Sequence, residues 1–124
     1  MNLVNENIFL IENLQQHEGQ ITADLTLVKD HPILLGHFPS QPVVPGACMV
    51  ELIKTVVENV LDLTLQLKSA GNIKFMQMIT PDDAEELKLV VSYKPIESGL
   101  ISLTGSIIKA ETACFKLQAV FTLV

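Results

Sequence analysis

The sequence predicts an α+β domain in which an antiparallel sheet curls around one long apolar helix. Three observations carry this prediction. Several segments alternate apolar and polar residues at strand period, and one segment, from Pro45 to about Asp62, changes to helical period. The order is two strands, the helix and then a meander of four strands, and consecutive hairpins give antiparallel pairing. The 124 residues read as one domain spanning 1–124, long enough to bury a core. Trp is absent and aromatics make up 5% of the chain, so the interior falls to Leu, Ile and Val.

The first strand is expected over roughly residues 6–16, ending at a break at His17-Glu18-Gly19. In the second, Ile21, Ala23, Leu25 and Leu27 alternate with Thr22, Asp24 and Thr26. Asp30 to Pro45 shows no clean period and holds four prolines, which makes it loop. Pro45 suits a first helical position. Apolar residues at 49, 50, 52, 53, 56, 57, 60 and 61 then cover most of the helix circumference. A narrow polar stripe remains, made of Glu51, Lys54, Thr55, Glu58 and Asp62. A helix this apolar lies inside something.

Leu63–Met78 reads as a strand bent near Gly71, and Pro81-Asp82-Asp83 as a turn. Leu87, Leu89, Val91 and Tyr93 mark the next strand, Pro95 to Gly99 a turn, and Ile101, Leu103 and Ile107 the strand after it. Phe115, Leu117, Ala119, Phe121 and Leu123 form the last alternation.

Composition excludes several functions. The net charge is −6 and the chain contains no Arg. Its lysines are scattered, so there is no basic stripe for nucleic acid and no bidentate phosphate clamp. Cys48 and Cys114 have no metal-ligand spacing and read as reduced cytoplasmic thiols. The first residues carry Glu6 and Glu12 without a basic lead-in, unlike a signal peptide. Glu51, Lys54 and Glu58 interrupt the most apolar stretch, so it reads as a buried helix and not a membrane span.

The chemically informative run is GHFPSQPVVPGACMVE, residues 36–51. Pro39, Pro42 and Pro45 recur at every third position, favouring a polyproline II path that is stiff before folding. That path holds His37 before it and delivers the chain into the helix. Val43 and Val44 stand where a capping Ser, Thr, Asp or Asn is expected, so the first helix amides look elsewhere for an acceptor. Gly46 has no side chain, and an outside oxygen could approach its N–H closely. Glu51 follows within about two turns. A histidine, an open helix tip and a carboxyl group together suit proton abstraction beside a carbonyl with an acid-assisted leaving group. The acid's role requires a carboxyl that keeps its proton, which apolar burial favours. Each residue also has a plainer reading. His17, His31 and His37 could be structural hydrogen-bonding residues. Glu51 could be part of a solvated face with Lys54 in ion-pair reach, and Cys48, Met49, Met76 and Met78 could fill the core.

Taken together, His37-Phe38-Pro39, Pro42, Pro45-Gly46 and Glu51 resemble the signature of the bacterial 3-hydroxyacyl-acyl-carrier-protein dehydratases. Lys74-Phe75 followed by Ile79-Thr80-Pro81-Asp82-Asp83 is a second, weaker resemblance. The resemblance implies a hot-dog fold and a homodimer, or a trimer of such dimers, with His37 of one chain facing Glu51 of the other. It further implies that His37 and Glu51 are catalytic and that Gly46, Ala47, Phe38 and Pro45 bind substrate. The substrate would be an acyl carrier protein or coenzyme A thioester, with no cofactor or metal. The chain departs from the family's pattern at Ser40, Lys54, Thr55 and Asp82. A hot-dog thioesterase and a non-catalytic acyl-binding subunit are the alternatives.

Overall fold

Alternation decides most of the architecture. The computed structural model describes residues 8–28, 46–80 and 87–124. Within them lie β1 (Phe9–His17), β2 (Gln20–Leu27), α1 (Gly46–Leu61), β3 (Leu65–Phe75), β4 (Leu87–Glu97), β5 (Leu100–Lys109) and β6 (Thr112–Leu123). The strands form one antiparallel sheet in the order β1-β2-β4-β5-β6-β3. The α+β expectation therefore holds. The predicted loop at 30–45 and the turn at Pro81-Asp82-Asp83 lie outside the described residues.

Ile21, Ala23 and Leu25 of β2 are buried, as are Leu89 and Val91 of β4, Leu103 and Ile107 of β5, and Leu117, Ala119 and Phe121 of β6. Strand residues two apart share a face, so these side chains form the sheet's inner surface. Met49, Leu52, Ile53, Val56 and Val57 of α1 are buried with them in the same core. A close approach is at Gly105, where a methyl group would stand 2.7 Å from Ile53 Cδ1. Glycine at that point of β5 lets the helix seat directly on the backbone.

The helix is less enclosed than its composition predicts. Val50, Val60 and Leu61 are only partly buried and Ala47 is exposed, so the chain's own sheet covers one side of α1. The polar stripe is also narrower than expected. Thr55 is buried, and Glu58 is partly buried because its carboxylate accepts the Leu65 N–H at 2.8 Å. Asp62 ends the helix in the left-handed region at φ 55°. The Leu63 N–H then donates to the Glu58 carbonyl at 3.0 Å, satisfying one of the orphaned last carbonyls.

Bulges shape the sheet edges and ends. In β3, Lys68 and Gly71 are extra residues against β6, which gives the predicted bend near Gly71. In β6, Cys114 is the extra residue between the pairs Ile107↔Phe115 and Ile108↔Ala113, and its Sγ–H donates to the Ile107 carbonyl at 3.2 Å. The strand before the Pro95–Gly99 region is longer than predicted. β4 continues through Pro95 to Glu97, with Ile96 bulged out, and turns only at Ser98-Gly99. Pro95 is tolerated there because it sits at a bulge.

The hairpin turn at Ala110-Glu111 carries no glycine or asparagine, yet both residues take positive φ, 48° and 71°. That is the primed-turn conformation, which suits Asn-Gly and strains side-chain-bearing residues. Replacing Ala110-Glu111 with Asn-Gly is expected to raise stability by about 1 kcal/mol. Urea denaturation checks this: the midpoint should rise at an unchanged slope, and an unchanged or lower midpoint contradicts the assignment of strain.

Candidate functional site

The first turn of α1 runs Gly46-Ala47-Cys48-Met49 and holds no acidic residue. The first amide N–H groups of a helix have no partner within the helix, and no carboxylate in this turn supplies one. The same end of the helix carries the positive pole of its dipole. Gly46 is partly exposed and Ala47 exposed, so this tip is open to an approaching group. Glu51 follows five residues after Gly46, roughly 7.5 Å along the axis at helical rise. The predicted residues Gly46, Ala47 and Glu51 are thus brought together on one end of α1. His37, Phe38 and Pro45 lie outside the described residues.

Glu51 projects from the uncovered side of the helix. Its side chain is 58% exposed and its Oε1 lies 4.0 Å from Lys54 Nζ, itself 28% exposed. Within the single chain the carboxyl group therefore lacks the apolar surroundings that an acid role calls for. Cys48 stands one turn before it, partly buried. Burial pushes the Cys48 thiol up from its ordinary value, and the negative charge of Glu51 adds to the effect. Cys48 alkylation by iodoacetamide should therefore show a midpoint above that of an ordinary thiol. Glu51→Gln should lower that midpoint only part of the way, since burial is the larger cause. An unchanged midpoint in Glu51→Gln would separate the two side chains. Cys114 is fully buried and stays silent in the folded protein.

A further aromatic belongs to this end of the molecule, and no role could be read for it in the sequence. The ring of Phe75, at the end of β3, lies against Gly46: a methyl group at Gly46 would stand 2.6 Å from two of its ring carbons. Phe75 pairs with Phe115 across the strands, with ring centroids 5.2 Å apart. Periodicity gives no hint of a contact between residues so far apart in the chain, because strand pairing creates it. His17 is on the surface, its Nε2 3.9 Å from Glu18 Oε2.

Two concavities lie elsewhere on the sheet. The larger, about 750 Å³, is lined by Asp24, Leu25, Lys88 and Glu111 among others. The smaller, about 310 Å³, is lined by Asn13, Thr22 and Val90 among others. Neither is lined by Gly46, Ala47 or Glu51. Among the described residues no helix is long and apolar enough to cross a membrane.

Residues 13–113 match the ApeI-like family of ApeI dehydratases. The 3-hydroxyacyl-[acyl-carrier-protein] dehydratase FabZ of Caldicellulosiruptor bescii is 37% identical over 89 residues, covering 66% of this chain and 57% of that protein. The FabZ of Haemophilus influenzae is 30% identical over 107 residues, covering 78% of this chain and 71% of that one. The chain spans about half the length of the first curated relatives it matches. Among solved structures, a chain of the dehydratase heterocomplex ApeI:P from Xenorhabdus doucetiae superposes with a TM-score of 0.74 at 16% identity, covering 92% of this chain and 97% of that one. One helix held in a six-stranded antiparallel sheet is the hot-dog fold shared with these neighbours. The chain belongs to the ApeI-like dehydratase family, with the FabZ dehydratases as distant relatives.

Proposed function

We propose that the protein is a cytoplasmic hydro-lyase that converts a 3-hydroxyacyl thioester, carried on acyl carrier protein or coenzyme A, to the trans-2-enoyl thioester. The observation that carries this reading is an exposed carboxylate, Glu51, about a turn and a half from an open helix tip, in a chain of a dehydratase family. In the reaction His37 takes the proton from C2. The electron pair passes toward the thioester carbonyl, whose oxygen gains charge and is held by the Gly46 N–H. The C3–O bond then breaks as Glu51 donates a proton to the departing hydroxyl, which leaves as water, and the C2–C3 double bond forms. Proton transfer from His37 back to Glu51 closes the cycle, and the chain's own residues carry every step.

A partner chain completes the site on this reading. Glu51 is exposed in the single chain, yet an acid must be shielded from water to hold its proton at neutral pH. The inner face of β3, one of the sheet's two edge strands, supports a missing cover. Leu67 and Ile73 pair with the buried Phe121 and Leu117, but are themselves 45% and 39% exposed. An open edge strand with apolar side chains is a ready surface for another chain. The partner is a second copy, making a homodimer or a trimer of dimers in which His37 of one chain meets Glu51 of the other. The name of the Xenorhabdus neighbour, a dehydratase heterocomplex, favours a second arrangement in which the partner is a different chain.

Purified protein should be supplied with 3-hydroxybutyryl and longer 3-hydroxyacyl thioesters, on both carriers, while enoyl product is followed by ultraviolet absorbance. Enoyl formation supports the reading. Release of free thiol without enoyl product assigns a thioesterase instead. Binding without turnover at any chain length assigns a non-catalytic acyl-binding subunit.

A further inference from the structure

We propose that Phe75 determines acyl specificity: its ring is the apolar wall beside the α1 tip along which the acyl chain of the thioester lies. This rests on the acyl-thioester reading of the same site and adds the residue that recognises the chain.

Three observations converge. Phe75 pairs with Phe115, which is fully buried, so it stands on the sheet's inner face where side chains are normally covered. It is nevertheless 60% exposed. Burying an aromatic ring is among the larger apolar gains open to a chain, and a ring left open on an inner face is available to an apolar occupant. Second, the ring is held in place. The Cys114 bulge turns its carbonyl toward the strand end, where it accepts the Met76 N–H at 2.9 Å and the Gln77 N–H at 3.3 Å. These bonds fix the backbone immediately after Phe75, and Phe115 supports the ring from within, at a centroid distance of 5.2 Å. Third, the ring rests on Gly46, the first residue of α1, at a separation that no side chain at 46 would permit. The outer edge of the ring thus meets the helix tip. Its exposed part borders the position where a thioester carbonyl held by the tip would direct its chain. Ile73 stands two residues back on the same strand face, and Met76 and Met78 are exposed just beyond. The thioethers can adapt to chains of different shape.

The test reads binding without turnover. 2-Oxoalkyl thioethers of coenzyme A with saturated chains of four, eight and twelve carbons keep a carbonyl but cannot react, and calorimetry gives a dissociation constant for each. Each methylene buried against apolar surface is worth up to about fourfold in affinity. The wild type should therefore bind the eight-carbon probe at least about tenfold more tightly than the four-carbon probe. Phe75→Ala should lose most of that gain and change the four-carbon affinity less than about threefold, with Phe75→Leu intermediate. Leucine keeps an apolar group at the strand end, so it supplies the comparison if alanine disturbs folding. A wild type with no gain in affinity along the series overturns the proposal. So does a gain that Phe75→Ala and Phe75→Leu leave intact, or a loss equal at all lengths. Failure of the dehydratase reading looks different: the Phe75-dependent gain persists while the 3-hydroxyacyl thioesters yield no enoyl product.

Discussion

Glu51→Gln is expected to lower enoyl formation from 3-hydroxyacyl thioesters by about 10²- to 10⁴-fold, the range that general acids contribute. The amide matches the carboxyl in size and can still donate a hydrogen bond to the 3-hydroxyl, but it cannot give up a proton to it. Because Glu51 lies on the exposed side of α1 and its contact with Lys54 is a long 4.0 Å, the substitution should leave thermal stability nearly unchanged. The loss should fall on kcat, since proton delivery is needed in the transition state and not in substrate binding. Steady-state kinetics on matched variants decides the matter, and a Glu51→Gln protein with wild-type kcat removes Glu51 from the mechanism.

The second large effect concerns the seat of the helix. Ile53→Ala is expected to cost about 2–5 kcal/mol, the usual range for emptying a fully buried aliphatic site. Gly105→Ala should cost about 1–3 kcal/mol for the opposite reason, overpacking. Its methyl would stand 2.7 Å from Ile53 Cδ1 and 3.3 Å from Cγ1 and Cγ2, and Ile53 is fully buried. Combining Gly105→Ala with Ile53→Val removes the atom in closest contact. The double variant should therefore be more stable than the sum of the single losses by about 0.5–3 kcal/mol. Denaturant midpoints measure this, and strict additivity would place the two residues out of contact. The consequence reaches function, because moving α1 off β5 moves Gly46 and Glu51 together.

What was legible in the sequence follows from which signals are local. β2, β4, β5 and β6 were readable because one face is buried and the other is not, so their side chains alternate in type. α1 was readable from helical spacing, and its end near Asp62 falls where expected. The Ala110-Glu111 turn was not, since neither residue carries turn chemistry and the flanking strand pairs impose the positive φ. Thr55 was placed in a polar stripe, but it is buried, one turn after the fully buried Leu52 on the same side of the helix. At the site, Gly46, Ala47 and Glu51 could be chosen because they lie on one short helical segment. Phe75 could be noticed only as part of a resembling segment. Its place beside Gly46 arises from pairing with Phe115 across the sheet, which no local pattern encodes.

The central claim is that one acyl group is processed by His37 of one chain and Glu51 of another. Mixing inactive His37→Ala protein with inactive Glu51→Ala protein, under conditions that allow subunit exchange, tests it most directly. Random reassortment makes half the dimers mixed, each with one intact site, so activity should recover to about a quarter of the wild-type value. A mixture that exchanges subunits, as shown by mass-tagged chains, and yet stays as inactive as its components would contradict the shared site.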